Sequence, residues 1–186
     1  MKIRLATPLL QQDSIVDGEG IRAVLWTQGC CHNCPGCHNP ETHSFTSGYV
    51  VDTDTIKEQI KKLSFHNGIT LSGGDPLLQA QACLDIAKYA KDLGLDVWCY
   101  TGFTFEQLLL ISRSKPVIKE FLKTIDVLVD GKFKLEEKTY DLIFRGSKNQ
   151  RIIDTKKSLL KNEVVEIKKY KNSNSLEIKE EKHIYI

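Results

Sequence analysis

Short, largely apolar runs without strict alternation are interspersed along this chain with stretches whose apolar residues recur every three or four positions. Residues 21–26, 69–71, 95–100 and 125–129 are such runs, the pattern of strands covered on both faces. Between them, Ile56, Ile60 and Leu63 mark one helical stripe. Leu78, Ala82, Ile86, Tyr89 and Leu93 mark another, with Gly94 placed to end it. Thr104-x-x-Gln107 reads as a capping-box start for a helix running to Arg113, and Pro116 opens a further short helical segment. Strands alternating with helices imply a mainly parallel sheet covered by helices, an α/β class. The units are too few for a closed eight-fold barrel of ~250 residues, so the expected core is a partial, open (βα) barrel over residues 1–160.

The two ends depart from this pattern. Residues 1–20 end in Val16-Asp17-Gly18-Glu19-Gly20, a turn-rich entry to the first core strand whose paired glycines suggest unusual backbone conformations. Residues 161–186 form a short C-terminal extension. Two β-leaning pieces, 164–167 and 183–186, flank a polar stretch at 172–175, which fits a peripheral hairpin or a frayed mixed-charge tail.

Composition narrows the setting. The 186 residues are enough for one domain with a single core, and 41% hydrophobic with 27% charged is ordinary for a globular protein. No apolar run approaches the ~20 residues of a membrane span, and the first twelve residues are too polar for a signal peptide. A cytoplasmic protein with no membrane partner is expected. The net charge of +2, with no basic face, gives no reason to expect nucleic acid.

Chemistry concentrates in Cys30-Cys31-His32-Asn33-Cys34-Pro35-Gly36-Cys37, which holds four of the six cysteines. Such clusters hold metal or carry out redox chemistry in reducing compartments. Two trios are available, Cys30-x3-Cys34-x2-Cys37 and Cys31-x2-Cys34-x2-Cys37. An electron-carrying cubane needs a fourth thiolate, and the ferredoxin spacing puts Glu41 where it should stand. A cluster on three cysteines keeps one iron open to a substrate, by the logic of open catalytic metal sites. Structural zinc, with His32 or His38 as fourth ligand, is the alternative, although no second ligand pair stands at zinc-finger distance. Cys83 and Cys99 read as inert buried thiols.

Ligands of parallel α/β folds bind beyond the carboxyl ends of the strands. Four distinctive loops fall there: the cysteine loop, Ser72-Gly73-Gly74-Asp75-Pro76, Thr101-Gly102 and Asp130-Gly131-Lys132. Paired glycines let backbone carbonyls approach a ligand ammonium. Asp130 can accept from ribose hydroxyls or an ammonium, Lys132 can pair with a carboxylate, and Thr101 is a further candidate contact.

In the x3-x2 spacing of Cys30, Cys34 and Cys37 the chain resembles the radical S-adenosylmethionine enzymes. The resemblance implies a [4Fe–4S] cluster on those three cysteines, whose open iron chelates the methionine moiety of S-adenosylmethionine. It also implies that the loop Ser72, Gly73, Gly74, Asp75 receives the amino group. Many members have an aromatic residue before the third cysteine, where this chain has Gly36. Adenine is then expected against the backbone of Gly36 and Cys37 or the ring of His38. The segments Trp98-Cys99-Tyr100-Thr101-Gly102-Phe103-Thr104, residues 126–133 and residues 144–153 are similar to the subgroup that activates anaerobic ribonucleotide reductase, with Lys148 where serine is more usual. The resemblance covers residues 15–160. It implies a flavodoxin or ferredoxin-type reductant and the glycyl-radical subunit of the reductase as partners. Activation of another glycyl-radical enzyme, of the pyruvate formate-lyase type, is an alternative, as is a non-catalytic iron–sulfur or zinc module. The loop Arg145-Gly146-Ser147-Lys148-Asn149-Gln150 is expected either to face the partner or to brace the site. Cys31 reads as a bystander.

Overall fold

The computed structural model describes residues 1–171. Strands β1 (Lys2–Leu5) and β2 (Gln11–Ser14) lie ahead of the expected glycine turn, where the sequence pattern assigned no element, and both pair antiparallel with β3 (Arg22–Thr27). After the cysteine loop come β4 (Tyr49–Asp52), α1 (Thr53–Ile60), β5 (Gly68–Gly73), α2 (Ala80–Asp92) and β6 (Asp96–Tyr100). The rest of the fold is α3 (Phe105–Ile111), α4 (Pro116–Thr124), β7 (Val127–Asp130), β8 (Arg151–Asp154) and α5 (Thr155–Lys161). The sheet has eight strands in the order β4-β1-β3-β5-β6-β7-β8, with β2 also paired to β3. Its centre, β3-β5-β6-β7, is parallel as expected, while its flanks are antiparallel. The sheet does not close into a barrel, because its path runs from β4 at one end to β8 at the other.

The central strands are largely apolar because both faces are covered, and the polar Arg22 of β3 and Thr70 of β5 are fully buried within them. Along β6, Val97 and Cys99 join the core beneath the helices, with Ile86 and Ala87 of α2 and Phe121 of α4. Trp98 and Tyr100 point the other way, into a smaller cluster with Val127, Val129, Ile152 and Tyr170. Each fully buried Leu, Ile or Phe contributes about 1.5–3 kcal/mol of hydrophobic stabilisation. The capping box at α3 forms as expected: Thr104 Oγ1 accepts from Gln107 N and Gln107 Oε1 from Thr104 N. The helix stops at Ile111, two residues before Arg113.

Cys83 and Cys99 are buried, and desolvation pushes both thiols up, which keeps them protonated and inert. Past α5 the chain turns at Asn162 (φ 54°) and folds back on the sheet, where Val165 O accepts from Asp154 N and Ile167 N donates to Ile152 O, both at 2.9 Å. The second half of the expected hairpin, 183–186, lies outside the described residues, as does the polar stretch at 172–175. Among the described residues no helix is long and apolar enough to cross a membrane.

Candidate functional site

The cysteine loop leaves the carboxyl end of β3 and is closed by its own backbone. Gly29, at φ +103°, donates to Thr42 O (2.8 Å), Cys30 N donates to His43 O (3.1 Å), and Gln28 Nε2 donates to Glu41 O and Ser44 O. Within it, Cys37 N donates to Cys34 O, and Asn39 N approaches Cys37 Sγ at 3.4 Å. The loop borders a cleft of about 280 Å³ lined by Cys30, Cys34 and Cys37 but not by Cys31, which is exposed. The cleft lining thus contains all of the Cys30-x3-Cys34-x2-Cys37 trio. Burial pushes the Cys30 and Cys34 thiols up, against the opposing effect of nearby backbone N–H groups. A thiolate at either position therefore calls for a positive partner, which is what a metal-bound donor set supplies.

Ser72, Gly73 and Gly74 from the end of β5, with Thr101 and Gly102 from the end of β6, form the facing wall. Gly73 sits at φ +98°, and a side chain at Gly74 would strike the backbone of Gly29, so the two loops touch through bare backbone. Gly74 N donates to Thr27 O (2.7 Å) and Asp75 N to Gly29 O (2.9 Å). A cradle of this kind admits a small polar ligand close to main-chain carbonyls.

Asp75 itself is fully buried and is not on the cleft surface. Its carboxylate accepts from Leu77 N (2.9 Å), Gly102 N (3.0 Å) and Thr101 Oγ1 (2.8 Å), and lies 2.6 Å from His32 Nε2. The His32 ring stands edge-on to Phe103 with centroids 4.6 Å apart. One carboxylate thus ties the cysteine loop, the Ser72–Asp75 loop and the β6 exit together. The Thr101 hydroxyl is committed to it.

Asp130 and Lys132 are not brought into this cleft. Asp130 is fully buried: it accepts from Phe105 N (2.7 Å) and binds the Arg151 guanidinium, at Nε (2.9 Å) and Nη2 (2.5 Å). It anchors the start of α3 to β7 and β8, and its surroundings leave little capacity for a ribose. Both residues line a separate surface pocket on the far side of Gly131 (φ +96°), which alone of the three borders the cysteine-lined cleft. Gly36 likewise is not on the cleft surface; a side chain there would press on Leu135 and Phe133. Cys37 and His38 are on it.

Several cleft residues went unread in the sequence. Phe133 lies beside His38 with ring centroids 4.9 Å apart, and Gly146 meets both, since a Cβ there would fall 2.8 Å from His38 Cε1 and 3.0 Å from Phe133 Cδ2. Asp17, Tyr100 and Gln150 also line the cleft. Asp17 sat within a noted glycine turn and Gly146 in a noted loop; neither carried a signal that it faced a ligand. The Arg145–Gln150 loop is held to the cleft wall by hydrogen bonds. Gln150 Oε1 accepts from Gly146 N and its Nε2 donates to Gly131 O, Asn149 Nδ2 donates to Lys132 O, and Arg145 Nη1 donates to Gln150 O. Lys148 takes part through its backbone, donating to Glu137 O (3.0 Å).

Comparison with known proteins supports an iron–sulfur cluster. Residues 16–153 match a family model described as a 4Fe-4S single cluster domain. The chain is 37% identical to an anaerobic ribonucleoside-triphosphate reductase-activating protein of Haemophilus influenzae, over 73% of this chain and 89% of the relative. It is 36% identical to the protein of that name from Enterobacteria phage T4, over 74% and 86%. It is 37% identical to that from Escherichia coli K12, over 73% and 90%.

Proposed function

Because the chain belongs to the family of anaerobic ribonucleoside-triphosphate reductase-activating proteins, we propose that it is a radical S-adenosylmethionine activase that places a glycyl radical on an anaerobic ribonucleotide reductase. The observation that carries this reading is the sorting of the thiols: Cys30, Cys34 and Cys37 border one cleft and Cys31 does not. Three thiolates hold three irons of a [4Fe–4S] cluster and leave the fourth free for a substrate. When bound on Cys30, Cys34 and Cys37 and the facing Ser72–Gly74 backbone, the cluster and S-adenosylmethionine would supply the hard chemistry, one-electron reductive cleavage driven by a flavodoxin- or ferredoxin-type reductant and removal of a hydrogen atom from a backbone glycine of the reductase.

The chain's own residues bind and orient. Backbone at Ser72, Gly73 and Gly74 receives the ammonium of S-adenosylmethionine. His38 and Phe133 supply the aromatic surface for adenine that Gly36 cannot. Asp75 and Thr101 hold the walls in register from behind. Asp130 fixes the start of α3 next to Gly131, and Lys132 acts on the cleft through space, since its charge favours ionised Cys34. We read the open sheet as a partial (βα) barrel of the radical S-adenosylmethionine type, whose missing strands leave room for a segment of the reductase.

The test is anaerobic reconstitution with iron and sulfide, reduction, and incubation with S-adenosylmethionine with and without the reductase. Formation of 5′-deoxyadenosine and a glycyl-radical signal by electron paramagnetic resonance is expected. Iron-loaded, reduced protein that yields neither overturns the reading.

A further inference from the structure

The segment after α5 lies beyond residue 153, where the family match ends, yet it grips two loops that wall the cleft. It runs antiparallel along β8 through Val165 and Ile167, then makes a single turn, Lys168–Tyr170, that buries the Tyr170 ring. The ring meets Phe144 and Trp98 edge-on, at 5.5 and 5.8 Å between centroids. Its hydroxyl donates to Glu19 Oε2 (2.7 Å), and Lys169 Nζ pairs with the same carboxylate (2.6 Å). On the other side, Arg145 Nη2 donates to Tyr170 O (3.1 Å). The segment is therefore a strap joining the 15–20 loop to the 143–150 loop.

Both loops reach the site. Asp17 stands two residues before Glu19, and Gly146 follows Arg145. Together with His38 and Tyr100 they border both the cysteine-lined cleft and an adjoining one of about 430 Å³, at whose rim Ile15 and Val16 are 70% and 71% exposed. The 15–20 loop has no strand pairing of its own, the 143–150 loop has only the isolated bridge of Ser147 to Lys138, and Phe144 adopts a left-handed backbone (φ 56°). Tyr100 OH donates to Phe144 O (2.9 Å), so a shift of Phe144 moves a residue of the cleft wall. Burial and the Glu19 carboxylate push the Tyr170 phenol up to about 12, so it stays a donor at any working pH.

We propose that this strap is a positioning element for the reaction, with Tyr170 as its positioning residue: it sets the separation of the 15–20 and 143–150 loops, and so the mouth through which the reductase's glycine segment reaches the cleft. The proposal rests on the activase reading above. Tyr170 touches neither the cysteines nor the cofactor cradle, so its effect is on admission of the partner and not on cleavage of S-adenosylmethionine.

The test uses the reconstituted full chain and its Tyr170→Phe and Glu19→Ala variants; Tyr170→Phe keeps the ring packing and loses only the hydroxyl. Amide exchange without the reductase is expected to be about tenfold faster over residues 15–20 and 143–150 in both variants. Half-maximal radical formation is expected to need roughly 3–10-fold more reductase, with iron content and partner-free cleavage unchanged. Unchanged loop exchange, or a proportional loss of cleavage and radical formation at constant half-saturation, overturns the strap's positioning role. A wild-type protein that forms no radical on the reductase overturns the activase reading and the partner-admission proposal with it. An active wild type with indistinguishable variants overturns the strap alone.

Discussion

His32 Nε2 lies 2.6 Å from Asp75 Oδ2, the oxygen that also accepts from Gly102 N and Thr101 Oγ1. A histidine inside the cysteine loop is thereby joined to a carboxylate 43 positions further along the chain. Hydrogen bonds to a buried charge are worth about 1.5–3 kcal/mol each, and removing the acceptor strands the donors. Asp75→Ala is expected to cost about 2–4 kcal/mol in equilibrium denaturation. It should also lower the iron retained after reconstitution, because the cysteine loop loses its tie to the facing wall. Full iron retention at reduced stability would make Asp75 a general stabiliser only.

The thiols divide by position. Single replacement of Cys30, Cys34 or Cys37 by Ala is expected to abolish the iron–sulfur absorption of reconstituted protein, while Cys31→Ala retains it. Iron and sulfide analysis checks this directly. A dispensable Cys30 with an essential Cys31 would show that the exposed thiol, not the cleft-facing one, is the ligand.

Gly146 has no room for a side chain. The added Cβ of Gly146→Ala would meet His38 Cε1 at 2.8 Å and Phe133 Cδ2 at 3.0 Å, and neither ring atom is the loose end of a flexible chain. Overpacking of this kind costs about 1–3 kcal/mol. If His38 and Phe133 hold adenine, the variant should bind S-adenosylmethionine about tenfold more weakly, by equilibrium dialysis, with its iron content intact.

Glu106 pairs with Arg151, which holds its carboxyl down at about 2, below the ordinary 4.5. A depressed carboxyl contributes stability that is complete above the unfolded value and is lost as pH falls through the folded one. Glu106→Gln is thus expected to be less stable than wild type at pH 7, with the gap narrowing from about pH 4.5 towards 2. The side chain is 59% exposed, so solvent screening limits the difference to ~1 kcal/mol or less. Urea denaturation at pH 3, 5 and 7 checks both sign and size.

Where both faces of a strand were covered, the sequence was legible. β3, β5, β6 and β7 appear as apolar runs because helices lie on one side and Trp98, Val129 and Tyr170 on the other. The flanking strands were hidden by their polarity: Gln11-Gln12-Asp13-Ser14 buries only Ser14, and Arg151 and Asp154 bracket just two isoleucines in β8. At the site, cysteine spacing left two trios open, and only one of them lines the cleft with all three thiols. The carboxylates were less legible. An aspartate at a strand end looks the same in sequence whether it faces a ligand or, as Asp130 does, an arginine 21 positions later. The meeting of His38, Phe133 and Gly146 depends on three loops converging in space, which no local pattern encodes.

The Glu19–Tyr170 contact spans 151 positions, whereas the cleft-facing thiols fall within eight. During synthesis from the amino terminus, the cysteine loop is therefore finished long before the residue that latches the first loop has been made. Iron capture and completion of the mouth become separable events in time, the first governed by a local segment and the second by a long-range closure that pays its loop entropy last.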